Sequence, residues 1–241
     1  PFETVYERNF VSRLEKLNYF QIEFESVNKN AFYANAQKVS FTIGKEFYKS
    51  FIELKNFLSY GKKGKGLNSR FFAGLLHLSE TNTSGIDYNM RLDGVNGSHD
   101  YFFDEIFPGR NEDKGVFSQQ FVIADAGFKM PTLFYRKANE WMLGVNLSTT
   151  LPGILPFKVF ADIGTFNDAQ KGYPKARSVS WEWGVELPVW KDIFVIYFPV
   201  SYSEDLKYIV EREELHYGNL IRFELHLKKL NPLEYFRSIK F

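Results

Sequence analysis

Apolar and polar residues alternate with a period of two through most of this chain. Trp181, Trp183, Val185, Leu187 and Val189 fall on one parity, and Glu182, Gly184 and Glu186 on the other. Ile221, Phe223, Leu225 and Leu227 alternate with Arg222, Glu224, His226 and Lys228. Phe157, Val159, Ala161 and Ile163 alternate with Lys158, Phe160, Asp162 and Gly164, and Trp141, Leu143, Val145 and Leu147 with Met142, Gly144, Asn146 and Ser148. The N-terminal half repeats the pattern in Phe20–Ile22–Phe24, Val39–Phe41–Ile43 and Ile86–Tyr88–Met90–Leu92. Weaker segments cover 50–60, 68–78, 118–130 and 192–203. Side chains on a strand change face at every residue, so each segment predicts a strand with one apolar and one polar surface.

The count is about eleven strands of roughly 9–13 residues, long enough for a tilted strand to cross a bilayer. Breakers such as YGKKGKGL, LPGILP and NDAQKGYPKAR separate them. Two longer connections, 93–117 and 203–216, interrupt the series, and the second has room for a short helix. The expected fold is all-β: a closed antiparallel transmembrane β-barrel of 10–12 strands. Twelve is preferred because single-chain bacterial barrels favour even numbers. Residues 1–16 are a lead-in, 17–230 the barrel and 231–241 a periplasmic tail. The segments 17–27 and 217–229 are the candidates for the closing pair.

Alternation alone does not say which face meets solvent. Three features favour lipid on the apolar side. The polar faces carry charges of both signs that can pair inside a narrow lumen: Lys158, Asp162, Glu182, Glu186, Arg222, Glu224, His226 and Lys228. Glycines recur on those faces (Gly44, Gly144, Gly164, Gly184), as a crowded interior requires. Trp and Tyr sit near strand ends, where amphipathic rings suit the headgroup level. Trp181, Trp183, Val185, Leu187, Ile221, Phe223 and Leu225 are therefore the expected lipid-facing set.

Composition agrees. Phe, Tyr and Trp make 18% of 241 residues while mean hydropathy stays at −0.29, which suits alternation better than a solid apolar core. Net charge is +1, too small for a general attraction to nucleic acid. The chain has no cysteine, which excludes disulfides and thiolate metal sites. The N-terminus PFETVYERNF lacks the basic and apolar regions of a signal peptide, so the chain reads either as a mature form or, the preferred reading, as the C-terminal part of something longer.

Chemistry is sparse. His77, His99, His216 and His226 fit no metal-ligand spacing, and no nucleophile motif is present. His99, Asp100, Asp104, Glu105 and Asp113 form an acidic loop whose simplest reading is solvated charge. Lys62, Lys63 and Lys65 form a basic turn. Tyr101, Phe102, Phe103, Ile106 and Phe107 are the candidate partner-contacting aromatics of the long loop. No cofactor or catalytic residue is expected.

The runs GIDYNMRLDGVNGSHDYFFDEIFPGR, GVFSQQFVIADAGFK, NEWMLGVNLSTTLPGILPFKVFADIG, KDIFVIYFPVSYSEDLK and NLIRFELHLKKLNP resemble the C-terminal outer-membrane barrel of gluzincin-type, aminopeptidase-like metallopeptidases. A broader likeness is to bacterial surface-antigen barrels, some of which move or insert polypeptides. The resemblance covers about residues 50–232. It implies a zinc peptidase domain ahead of Pro1, but HExxH is missing from this chain, so no peptidase residue carries over. What the resemblance implies here is an anchor in the outer membrane of a Gram-negative bacterium, with lipids and envelope proteins as partners.

Overall fold

A computed structural model describes residues 2–5, 14–17, 19–45, 47–61, 65–79, 89–94, 115–120, 122–132, 135–151, 156–171, 174–190 and 193–226, the first two stretches as backbone only. Nine strands form one antiparallel sheet: β3 (Tyr19–Lys29), β4 (Tyr33–Gly44), β5 (Phe47–Ser59), β6 (Gly66–Leu78), β9 (Trp141–Thr150), β10 (Lys158–Phe166), β11 (Ser180–Trp190), β12 (Phe194–Tyr202) and β13 (Arg222–Leu225). Each pairs with its neighbour in chain order, and β6 pairs directly with β9 across the long connection between them. Two small ladders lie apart from this sheet: β1 (Phe2–Val5) with β2 (Leu14–Leu17), and β7 (Met90–Arg91) with β8 (Lys137–Ala138).

The period-two pattern becomes two different surfaces. On one face Phe20, Ile22, Phe24, Phe41, Ile43 and Leu75 are exposed, as are Leu143, Leu147, Ile163, Trp181 and Trp183 on the later strands. On the other face Ser40, Glu53, Arg70, Asn146, Asp162, Glu182, Glu186, Arg222 and Glu224 are all buried. The sheet is strongly curled. Residues of β3 and β4 and residues of β11 and β12, at opposite ends of the strand order, line one cavity on the polar side.

The connection between β6 and β9 fills part of that concavity. Residues 89–94, 122–132 and 135–138, here called the strap, lie against the polar face. Backbone bonds tie its two runs together: Ala126 N–H donates to the Arg91 carbonyl, Phe128 N–H to Leu92, and Leu92 N–H to Arg136. Gly127 takes a left-handed φ of +72°, which bends the strap where a side chain would be strained. Met90, Leu92, Phe128 and Met130 of the strap are fully buried with Phe72 and Met142 of the sheet and Leu206 and Ile209 of α1 (Glu204–Arg212). The sheet glycines make room for this layer. A Cβ on Gly144 would stand 2.7 Å from Ala126 Cα, and one on Gly164 would stand 2.5 Å from Leu92 Cδ1.

Several expectations change. The described residues of 118–130 form no strand of the sheet: 116–119 are a 3-10 turn, Gln120 makes an isolated bridge with Phe223, and 122–130 belong to the strap. The alternation at Ile86–Leu92 yields only the two-residue β7, with 80–88 outside the described residues. Residues 217–220 are a helical turn, α2 (Tyr217–Leu220), so the last strand begins at Arg222. Among the described residues, β3 and β13 are the two sheet edges and are not paired with each other. The weak segments 50–60, 68–78 and 192–203 do form full strands, and the helix expected in 203–216 is α1. The expected tail 231–241 lies outside the described residues.

Candidate functional site

The polar side of the sheet carries the only dense cluster of charged side chains among the described residues, and the strap completes it. Lys129 comes from the strap. Its ammonium donates to both carboxylate oxygens of Asp162 on β10, at 2.8 and 3.0 Å. It also stands 5.0 Å from the ring centre of Phe160 and 5.6 Å from that of Tyr197, a cation–π arrangement available because these inward positions are aromatic. Glu182 on β11 accepts the backbone N–H groups of Lys129 and Met130 at 2.5 and 2.9 Å. Asn146 on β9 bridges the layers, donating to Asp162 and to the Ala126 carbonyl.

Similar pairs extend the network. Arg70 on β6 donates to Glu53 on β5 at 2.5 Å and to Asn146 at 2.8 Å. Asp125 of the strap accepts from Lys49 Nζ at 2.8 Å and from the Arg91 N–H at 2.9 Å. Asp93 accepts the N–H and hydroxyl of Thr132. Arg136 is buried against Asp205 of α1 and Ser180 of β11, and donates to the Ala169 carbonyl. Buried charges require partners of this kind. Lys129–Asp162, Lys49–Asp125 and the strap amides on Glu182 join strap to sheet, so this part of the network fixes the strap in place.

Of the residues named from sequence, Asp162, Glu182, Glu186, Arg222 and Glu224 are buried on this face, and Lys158 and His226 are half-buried. The structure pairs them as Lys158–Glu186 at 2.6 Å and His226–Glu224 at 3.0 Å, with the Tyr197 hydroxyl donating to Glu224 at 2.9 Å. Arg222 donates to the Ser118 carbonyl at 3.1 Å. Lys228 lies outside the described residues. Trp181 and Trp183 are exposed, while Val185, Leu187, Ile221, Phe223 and Leu225 are half-buried, on the opposite face. Tyr101, Phe102, Phe103, Ile106 and Phe107, and the acidic loop residues with them, lie outside the described residues.

Sequence reading missed Lys129, Arg136, Arg70 and Glu53. Lys129 and Arg136 sit in a segment without regular alternation. Arg70 and Glu53 were visible as charges inside apolar strands, on the inward parity.

Beyond the sheet, Arg177 in the 167–179 connection bonds Glu204 at the start of α1. That contact holds the Glu204 carboxyl below its usual range and raises the Arg177 guanidinium. The Tyr135 hydroxyl donates to Glu213 at 2.5 Å, which raises the phenol.

On the side of the connections 30–32 and 60–65 the concavity stays open, forming a cavity of about 340 Å³. Lys129, Ile123, Arg70 and Asn146 line it where it meets the strap and network. Among the described residues no group of three or more His, Asp or Glu is arranged to hold a metal ion, and no helix is long and apolar enough to cross a membrane, which says nothing of a β-barrel. Comparison with protein-family models, curated proteins and solved structures finds no match to this chain.

Proposed function

We propose that this chain is an outer-membrane β-barrel of 10–12 strands that serves as an anchor and scaffold for envelope proteins and is itself non-catalytic. The supporting observation is the inversion of the two faces. Large apolar side chains stand exposed on strand after strand, with Phe20 and Phe24 at 64% and Ile43 at 61%, while Asp162, Glu182 and Glu53 are 8% exposed or less. A water-soluble sheet of this size turns its apolar face inward, and a contiguous exposed apolar surface marks a membrane or protein contact. Hydrocarbon outside and polar groups inside is the arrangement of a transmembrane barrel.

Two further features support the reading. The connections 30–32, 60–65, 151–157 and 191–193 at one rim are all short, whereas at the other three of four, 79–140, 167–179 and 203–221, are long and only 45–46 is short. Barrels of the outer membrane have short periplasmic turns and longer external loops. Exposed aromatics also gather near both rims: Phe32, Tyr33, Tyr60 and Trp190 at the short-turn rim, Tyr48, Trp141, Trp181 and Tyr217 at the other. These are the positions of interfacial girdles. The strap, held by buried ion pairs, favours an anchor over a conduit.

The test is fractionation with heat modifiability. The chain should partition with outer membrane, need detergent or lipid to stay dispersed, and migrate differently on a gel before and after boiling. A chain that is monomeric and dispersed in plain buffer rejects the proposal. Planar-bilayer recordings should show little or no conductance; steady large conductance rejects the filled-barrel reading.

A further inference from the structure

We infer that the open half of the inner cavity binds an anionic amphiphile, a carboxylate carried on a short apolar chain. The inference concerns the polar face alone and stands whether water or lipid meets the other. The cavity, at about 340 Å³, lies in the lower part of the ~300–1,000 Å³ range of ligand pockets.

Its lining is divided by chemistry. Val27, Ala34, Ala36 and Phe57 give it an apolar wall on β3, β4 and β5. The charge around that wall is one-sided. Lys29, Lys55, Arg70 and Lys129 line the cavity against a single lining carboxylate, Glu186, and of these cations Lys129 is already neutralised by Asp162 behind the lining. That carboxylate is already engaged by Lys158 and the Ser148 hydroxyl. Arg70 and Lys55 share one further carboxylate, Glu53, at 2.5 and 2.8 Å. Lys29 has no carboxylate partner among the described residues.

Cations therefore outnumber the carboxylates that neutralise them, beside a wall of small and aromatic side chains. An anion satisfies the excess charge, and an apolar chain covers the wall. A cationic amphiphile would meet like charge. A neutral one would fill the wall and leave Lys29 without an anion and Lys55 with only a carboxylate it shares with Arg70. The small side chains of Ala34 and Ala36 leave the space in which the apolar chain lies.

The test is calorimetric titration of the full chain, in lipid nanodiscs or in plain buffer according to how it disperses, with decanoate, decanol and decyltrimethylammonium. Decanoate should saturate one site at least about tenfold more tightly than decanol, the equivalent of about one charge-assisted contact. Decyltrimethylammonium should not saturate. The double variant Lys29→Gln/Lys55→Gln should bring decanoate to the level of decanol, and Ala36→Phe should remove binding of both. Lys29 and Lys55 are exposed, so the double variant leaves the fold intact. Decanoate binding no tighter than decanol, insensitivity to Ala36→Phe, or uptake equal to that of empty nanodiscs overturns the inference. Dispersal without lipid would sink the membrane reading and still leave this titration decisive.

Discussion

Lys129 of the strap and Asp162 of β10 meet at 2.8 Å, with the lysine side chain 5% and the aspartate 0% exposed. Removing one member of such a pair leaves a buried charge uncompensated, which costs about 3–5 kcal/mol. Lys129→Met should therefore destabilise the folded chain by roughly that amount, read as an earlier unfolding midpoint on heat-modifiability gels. Adding Asp162→Asn to that variant should recover a large part of the loss. A Lys129→Met chain as stable as the wild type would mean that the strap is not seated against the sheet.

Gly144 tests the same seating through shape. An added methyl would stand 2.7 Å from Ala126 Cα and 3.0 Å from its carbonyl oxygen, both backbone atoms with little freedom to yield. Overpacking of this kind costs about 1–3 kcal/mol. Gly144→Ala should lift the strap and speed proteolytic cleavage within residues 115–138 without breaking the sheet. Combining it with Ala126→Gly removes the strap methyl that stands 2.9 Å from the new one and should slow cleavage again. Equal cleavage rates in wild type and Gly144→Ala would refute this packing.

Ile163 separates lipid from water on the outer face. It is 49% exposed, on β10 opposite Val145 and Trp181. In hydrocarbon an arginine there costs about 2–4 kcal/mol if the position is near the bilayer midplane. In water an exposed substitution changes stability by about 0.5 kcal/mol at most. Ile163→Arg should markedly reduce the folded, heat-modifiable fraction after refolding into lipid vesicles. An unchanged yield would argue for solvent on that face.

The Arg177–Glu204 contact gives a pH dependence. The folded-state pKa of Glu204 is lowered below the ordinary value of 4.5, so the contact contributes stability above that value. The contribution is lost as pH falls through the lower folded value, when the carboxylate takes up a proton. Amide exchange at the start of α1 should accelerate over that acidic window. In Glu204→Gln it should already be fast at neutral pH and lack the acid step. Both groups are exposed, so the effect is local.

The sheet was legible because period two is imposed by strand geometry, and the structure keeps the predicted parity in β4, β9, β10 and β11. The inward charges Asp162, Glu182 and Glu186 could be named for the same reason. Lys158, which pairs with Glu186, could be named as well, but the partner of Asp162 could not, because Lys129 reaches it from a segment that obeys no period. Val122, Ile123, Ala126, Phe128 and Met130 read as a weak strand, yet Asp125 and Gly127 have positive φ and turn the backbone away from an extended course. The Asp-Ala-Gly sequence was the available sign of a bend, and a burial pattern shared between strap and sheet has no expression in either segment alone. The glycine pattern was visible, but its use, close approach of Ala126 and Leu92, depends on the connection between β6 and β9 folding inward.

Nine strands, each antiparallel to the next, leave the outermost two, β3 and β13, pointing the same way. Zipping them together directly would create a parallel seam with slanted hydrogen bonds, and the four residues of β13 would match only part of the eleven of β3. A uniformly antiparallel ring requires an odd number of added strands, from whichever polypeptide supplies them. On the proposed barrel reading that seam is where the described strands are least self-sufficient: β13 meets only Gln120 there, in a single bridge at Phe223, and an unpaired amide in hydrocarbon has no water to turn to.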